Sequence, residues 1–162
     1  MKSLTPAEAL EAYVAAWNAT DGDARSAHLL DACAADVVLL DPHAHRPVQG
    51  WGAVAAHIGV FRERYPHLLQ PTSAIDAHHG VCRFAWRLAS GGPGEAPHVL
   101  STGIVVAEAA ADGRLKRVLH FVDPTPAEAA TPAEAATPAE AATPAEAAAP
   151  EAAPSPDAPS PG

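Results

Sequence analysis

Apolar side chains recur at helical spacing in three segments of the first half of the chain. Thr5-Pro6-Ala7-Glu8 predicts the start of the first helix, because Thr can cap it, Pro suits its first turn and Glu completes a capping box. This helix is expected to end near residues 18–22. Its apolar face is formed by Leu10, Tyr13, Val14 and Trp17.

Two further helices are predicted before the middle of the chain. The second covers about residues 23–33, and the third opens at Gly50 and stops at Pro66, since proline cannot continue a helix. The side chains expected to face inward on the second helix are Ser26, Leu29, Leu30 and Cys33. On the third helix they are Trp51, Val54, Ile58, Phe61 and Tyr65.

Strand patterns surround and follow the third helix. The apolar run at 37–40 predicts a strand that ends on Asp41-Pro42, and further strands are predicted at about 68–77, 81–89, 97–108 and 115–122. In 81–89 every second residue is apolar, which is typical of a strand with one buried face. Helices first and strands afterwards indicate an α+β fold, in which three helices cover a curved antiparallel sheet and leave a pocket between the layers.

The C-terminal part has a different composition. The hexapeptide Thr-Pro-Ala-Glu-Ala-Ala occurs four times from Thr125 onwards, and residues 125–162 contain no Leu, Ile, Val, Met, Cys or aromatic residue. Such a segment cannot bury a core that offsets the entropy of ordering it. We therefore predict a folded domain at 1–124 and a disordered low-complexity tail at 125–162.

Charge and cysteine content limit the kinds of partner. Residues 1–124 hold ten basic and thirteen acidic residues, while the tail holds six acidic residues and no basic one. A mildly acidic domain argues against nucleic acid or a membrane as a partner. No stretch approaches a secretory signal or a membrane span, and Cys33 and Cys82 are isolated. We expect a cytoplasmic protein with two reduced, buried thiols.

Asp41 is the first candidate for chemistry. A strand that leaves an apolar interior and stops on a carboxylate places an ionisable group at the edge of an apolar space. Desolvation disfavours the charged form there, so the carboxylate is expected to be a stronger base than in water. The alternative is a purely local role, because Asp-Pro is a common turn sequence.

Histidines and aromatic residues form a second group of candidates. His43 and His45 follow Asp41 closely, and either could line the pocket mouth, assist Asp41 or simply face solvent. A metal site would need a third ligand that the sequence does not place, so no metal and no cofactor are predicted. His120 alternates with apolar residues and is expected in the cavity or in a dimer interface, whereas His57 is expected at the edge of the third helix's apolar face. The aromatic residues that either fill the core or form the pocket wall are Trp17, Phe61 and Trp86.

The succession of these segments resembles the SnoaL-like branch of the nuclear transport factor 2-like superfamily, which includes ketosteroid isomerases and polyketide cyclases. The resemblance covers about residues 5–123. It rests on five segments in order: YVAAWNATD at 13–21, DVVLLDP at 36–42, VQGW at 48–51, DAHHG at 76–80 and DGRLKRV at 112–118. It implies a cone-shaped α+β fold, an apolar pocket for a small apolar ligand and a homodimer formed through the sheet.

The resemblance also implies roles for two residues. Asp41 matches the general base of the steroid isomerases, and Tyr13 matches the phenol that hydrogen-bonds the developing oxyanion there. The second, protonated acid of those enzymes has no counterpart, because the matching position is Val105. Two hypotheses follow. The first is a cofactor-independent isomerase or cyclase acting on an apolar ketone or polyketide, and the second is a non-catalytic ligand-binding or dimerisation domain of the same fold.

Overall fold

The computed structural model describes residues 4–91 and 96–124, so the predicted tail at 125–162 lies outside the described residues. The helices are α1 (Pro6–Asn18), α2 (Gly22–Ala32) and α3 (Trp51–Arg64). The strands are β1 (Cys33–Leu40), β2 (Val48–Gln49), β3 (Leu68–Pro71), β4 (Asp76–His78), β5 (Val81–Ser90), β6 (His98–Ala109) and β7 (Leu115–Val122). No helix in these ranges is long and apolar enough to cross a membrane.

Helix α1 begins with the predicted capping box. The backbone N–H of Glu8 donates to Oγ1 of Thr5 over 3.2 Å, and the backbone N–H of Thr5 donates to Oε2 of Glu8 over 2.8 Å. These bonds satisfy two of the donors that a helix start leaves free. At the other end, Asn18 exchanges two hydrogen bonds with the backbone of Leu69, which attaches α1 to β3.

Helix α2 differs from the prediction in the face it buries. Leu30 is 46% exposed and Ser26 is only half-buried, so the expected inward face was wrong for these two residues. Cys33 is buried as expected but belongs to β1 rather than to the helix. The buried residues of the helix are Arg25, Leu29 and Ala32. The physical reason lies in Arg25, which is 8% exposed and whose guanidinium donates to the carbonyl of Ala19 over 2.9 Å, so that this residue takes a place on the inward face.

The sheet has seven strands in the order β2-β1-β7-β6-β5-β3, with β4 also paired to β5. It is mixed rather than antiparallel throughout, because β1 runs parallel to β7, with Leu39 opposite Val118. The predicted strand at 68–77 is divided into β3 and β4, which both pair with β5. The register shifts within the β1–β7, β5–β6 and β6–β7 pairs, and such irregularities bend a sheet.

The core lies between the helices and the inner face of the sheet. The alternation predicted for β5 is confirmed, since Cys82, Phe84, Trp86 and Leu88 are all at most 5% exposed. Cys33 and Cys82 are free and buried as predicted. Burial raises the pKa of the Cys33 thiol to about 12 and that of Cys82 to about 11.

Gly103 on β6 allows the large ring of Trp86 to lie against the sheet. The two residues are paired in register, and a Cβ added at Gly103 would come within 2.7 Å of Cζ2 of Trp86. It would also collide with the carbonyl oxygen of Phe121 on β7. Because Gly103 has no side chain, the ring of Trp86 can occupy this space on the inner face of the sheet.

Candidate active site

Asp41 follows the last residue of β1 and combines the two roles considered for it. Its carboxylate accepts the backbone N–H of His43 over 2.8 Å, and its carbonyl accepts the N–H of Ala44 over 3.0 Å, so it does form a turn. Its side chain is nevertheless only 3% exposed and reaches the wall of an interior cavity. The turn therefore orients the carboxylate towards the interior.

The cavity is small and mainly apolar. Its volume is about 20 Å³, which is room for about one water molecule. The lining residues are Trp17, Asp41, His43, Phe61, Leu69, Trp86, Leu88, His120 and Val122. Asp41 is the single acidic residue in this lining.

A second cavity continues outward from the first. It has a volume of about 160 Å³ and shares four wall residues with the inner cavity, namely His43, Phe61, Trp86 and Leu88. Its other wall residues are Tyr65, Leu100 and Ser101. A ligand ring fits the outer cavity far better than the inner one, so the shared residues stand between the ring and Asp41.

Three histidines surround the Asp41 carboxylate. Nδ1 of His43 lies 3.1 Å from Oδ1, Nε2 of His57 lies 3.4 Å from Oδ2, and Nδ1 of His120 lies 4.0 Å from Oδ2. The contact with His57 has the distance of an ion pair without the alignment of a hydrogen bond. One carboxylate thus has imidazole nitrogens facing both of its oxygens.

These neighbours reverse the expected change in the pKa of Asp41. Burial raises the pKa, but the side chain of His57, the charge of His120 and the backbone N–H of His43 together lower it well below its ordinary value. The expectation that burial alone makes Asp41 a stronger base was therefore wrong. Before any ligand binds, Asp41 is therefore a stabilised, negatively charged carboxylate.

Tyr13 reaches this group only through His120. Its side chain is fully buried and does not line the cavity, and its hydroxyl lies 2.9 Å from Nε2 of His120. Burial raises the pKa of Tyr13 well above its ordinary value, so the phenol keeps its proton. We assign the phenol as the donor to Nε2, because the other ring nitrogen of His120 faces the Asp41 carboxylate, which can only accept. His120 then carries its own proton on Nδ1, which faces Asp41.

His120 is itself a buried, neutral imidazole. Burial lowers its pKa to about 4, the negative charge of Asp41 opposes this change, and the charges of His57 and His43 add to it. The result is a chain of three groups, in which the phenol of Tyr13, the ring of His120 and the carboxylate of Asp41 follow one another.

Of the other predicted site residues, all but one line the cavity. Trp17, Phe61 and Trp86 form its aromatic wall, where the rings of Trp17 and Phe61 meet edge to face at 5.4 Å. His43 packs against Phe61 at 5.4 Å and stands half exposed at the mouth. His45 is exposed and lies outside the cavity, in an open groove whose walls also include Asp41 and His120.

His57 is the site residue that sequence reasoning missed. It was expected at the edge of the apolar face of α3, yet its ring points to Asp41. A signal was available, because His57 precedes the cavity residue Phe61 by one helical turn and shares its face. In the described part of the chain, no three His, Cys, Asp or Glu residues are arranged to hold a metal ion.

Solved structures similar to this chain share its fold. A candidate isomerase of the SnoaL-like family from Agrobacterium tumefaciens matches with a TM-score of 0.63 and 28% identity, over 72% of this chain and 95% of that one. A candidate polyketide cyclase from Sinorhizobium meliloti matches with a TM-score of 0.53 and 19% identity, over 70% and 93% of the two chains. A candidate SnoaL-like polyketide cyclase from Jannaschia matches with a TM-score of 0.56 and 18% identity, over 70% and 81%.

Comparison of the sequence alone gives no match: no family model matches the chain, and no curated protein matches it. The structural matches agree with the family that the sequence resembles, and they extend over most of each matched chain. The chain therefore has the fold of the SnoaL-like, nuclear transport factor 2-like superfamily, and its similarity to the Agrobacterium protein supports the resemblance seen in its sequence.

Proposed function

We propose that the protein is a cofactor-independent enzyme of isomerase or cyclase type that moves a proton next to the carbonyl group of an apolar ketone. The observation that carries the proposal is Asp41, a carboxylate 3% exposed in a mainly apolar wall. In the proposed step, Asp41 takes a proton from the carbon beside the carbonyl, and the electrons of that C–H bond form an enolate. In an isomerase, the proton returns to another carbon of the same ligand. In a cyclase, the enolate carbon attacks a second carbonyl.

The size of the site narrows the ligand class. The inner cavity accepts little more than the reacting end of a molecule, and the outer cavity of about 160 Å³ accepts a small ring. Steroids and long polyketides exceed both cavities. We therefore favour a small cyclic ketone, which enters past His43 with its carbonyl end first.

The lowered pKa of Asp41 sets a condition on this chemistry. A weak base removes a proton beside a carbonyl only when the negative charge that develops on oxygen is well stabilised. Tyr13 supports the site indirectly in this proposal, as a positioning residue that fixes the tautomer of His120. The donor to the oxyanion is then expected among the residues that line the cavity.

The second candidate function is ligand binding without chemistry. It is favoured by the same lowered pKa and by Val105, which is fully buried at the position where the resemblance implies an acid. A binding domain would keep the two cavities and leave the Asp41 carboxylate paired with its histidines.

Exchange of α-protons distinguishes the two functions. The protein is incubated with cyclohexanone in deuterated buffer, and loss of the α-proton signal is followed by NMR. We expect faster exchange than in buffer alone, and a decrease of about 10²–10⁴-fold in Asp41→Asn, the range for loss of a general base. The matched control is Asp36→Asn, an exposed acid on the same strand.

Two results would contradict the enzyme. One is exchange that proceeds equally in Asp41→Asn and the wild type. The other is binding of cyclohexanone without any acceleration of exchange, which would support the binding domain instead.

We also propose that two copies of the chain associate through the outer face of the sheet. Ile104 and Phe121 are paired in register on β6 and β7 and are 38% and 50% exposed. Apolar side chains this exposed on adjacent central strands form a surface suited to burial against an identical surface.

A further inference from the structure

Trp86 has a buried hydrogen-bond donor with no acceptor. The residue is 5% exposed, and its indole Nε1 is closed to solvent and unpartnered in the described part of the chain. Buried polar groups in folded proteins are nearly always paired, and an unpaired one is destabilising. Trp86 belongs to a cavity wall, so a ligand acceptor that reaches this nitrogen would give the donor its missing partner.

The position of Trp86 fits such a role. Its ring belongs to the walls of both cavities, which places it where a ligand passes from the outer to the inner one. It lies 6.3 Å from the ring of His120, measured between centroids, and is thus near the Asp41 group. The ring of Trp86 lies close to Gly103, which limits its movement towards the sheet.

The two histidines of the inner cavity already contact other polar groups. His43 and His120 contact Asp41, and His120 also accepts the hydroxyl proton of Tyr13. The indole of Trp17 has no aligned acceptor, but it lies close enough to the Tyr13 hydroxyl to lower the pKa of that phenol against the larger effect of burial. Of these two indoles, only that of Trp86 belongs to the walls of both cavities.

We propose that the indole N–H of Trp86 donates a hydrogen bond to the carbonyl oxygen of the ligand and stabilises the oxyanion that forms there. The proposal rests on the proposed function and names the ligand more closely, as a molecule with an uncharged oxygen acceptor at its leading end. It also identifies the hydrogen-bond donor to the oxyanion. Proton removal by a base as weak as Asp41 requires such a donor. The indole N–H has no ionisable proton in the physiological range and donates in every protonation state of the histidines.

The indole signals in NMR test this directly. The three tryptophans give three indole N–H signals in protein labelled with ¹⁵N, and single Trp→Phe variants assign them. The probes are cyclohexanone and methylenecyclohexane, which has the same shape with a CH₂ group in place of the oxygen. We expect cyclohexanone to move the Trp86 indole proton downfield, and the hydrocarbon to cause no such change.

Affinities give the second measurement. Trp86→Phe should lower the ratio of ketone affinity to hydrocarbon affinity by about tenfold, the usual effect of one hydrogen bond. Trp51→Phe is the matched control, since Trp51 is half-buried and lines neither cavity. If Trp86→Phe fails to fold, the indole shift in the wild-type protein decides alone.

Three outcomes would overturn the proposal: a ketone that shifts other cavity signals but not that of Trp86, an unchanged affinity ratio in Trp86→Phe, or no binding of the ketone. The first two outcomes are separable from failure of the proposed function, whereas absence of ketone binding would remove both. Exchange that depends on Asp41 but not on Trp86 removes only the donor assignment. A Trp86 shift without any proton exchange removes only the catalysis.

Discussion

The hydroxyl of Tyr13 and Nε2 of His120 lie 2.9 Å apart, although 107 positions separate the two residues in the chain. The bond joins the first helix to the last strand in the interior of the protein. Because the phenol donates, the ring of His120 is held in the tautomer whose Nδ1–H faces Asp41. Tyr13 thus acts on the candidate site from outside the cavity.

The first prediction concerns stability at acidic pH. The pKa of His120 is lowered to about 4 in the folded protein, from an ordinary value of 6.5. The unfolded chain therefore binds this proton more tightly, and the free energy of unfolding should fall as the pH decreases from about 6.5 to about 4. The loss due to His120 is at most about 3 kcal/mol. Urea unfolding at several pH values measures it.

The contribution of Asp41 to the free energy of unfolding changes at lower pH than that of His120. Its pKa is lowered in the folded state, so its contribution is present above the unfolded pKa and is lost as the pH falls further, towards the folded value. His120→Gln should flatten the pH dependence between about 6.5 and 4, whereas His45→Gln, at an exposed position, should leave it unchanged. An equal pH dependence in His120→Gln and the wild type would contradict the assignment.

The second prediction compares two glycines. Gly103→Ala should destabilise the protein by about 1–3 kcal/mol or more, because its Cβ would overlap Trp86 and the backbone of Phe121. Gly52→Ala should stabilise it by up to about 1 kcal/mol, since Gly52 lies in α3 with nothing within 4 Å of the added Cβ. Chemical unfolding of both variants provides the measurement. Equal effects at the two sites would show that the overlap at Gly103 is relieved at no cost.

The third prediction concerns association. Phe121→Lys places a charge on the outer face of the sheet and should convert a dimer into a monomer, as followed by sedimentation velocity over a range of concentrations. Val60→Lys is the control, because Val60 is 69% exposed on α3 and is not part of the sheet. A wild-type protein that remains monomeric at all concentrations would rule out the proposed dimer.

Much of this architecture follows from local sequence. The capping box at Thr5, the stop at Pro66 and the alternation around Phe84 each act over a few residues, and all three are found in the structure. The direction of the Asp41 side chain is also determined locally, because it results from the end of β1 and the turn that follows.

The remaining features depend on contacts between distant segments. The parallel pairing of Leu39 with Val118 has no local signature, and neither has the bond between Tyr13 and His120. The direction of the Asp41 pKa was missed for the same reason. It depends on two imidazoles from α3 and β7, whose approach to β1 is set by packing.

The turn at Asp41 has a consequence for how such a protein can change over evolutionary time. The carboxylate oxygen that accepts the N–H of His43 can be replaced by the amide oxygen of Asn, which accepts the same bond. A single substitution would therefore remove the proposed base while the turn, the cavities and the proposed tryptophan donor persist. The proposed enzyme and a binding protein of the same fold would then be one substitution apart, and the change would not require the loop to be rebuilt.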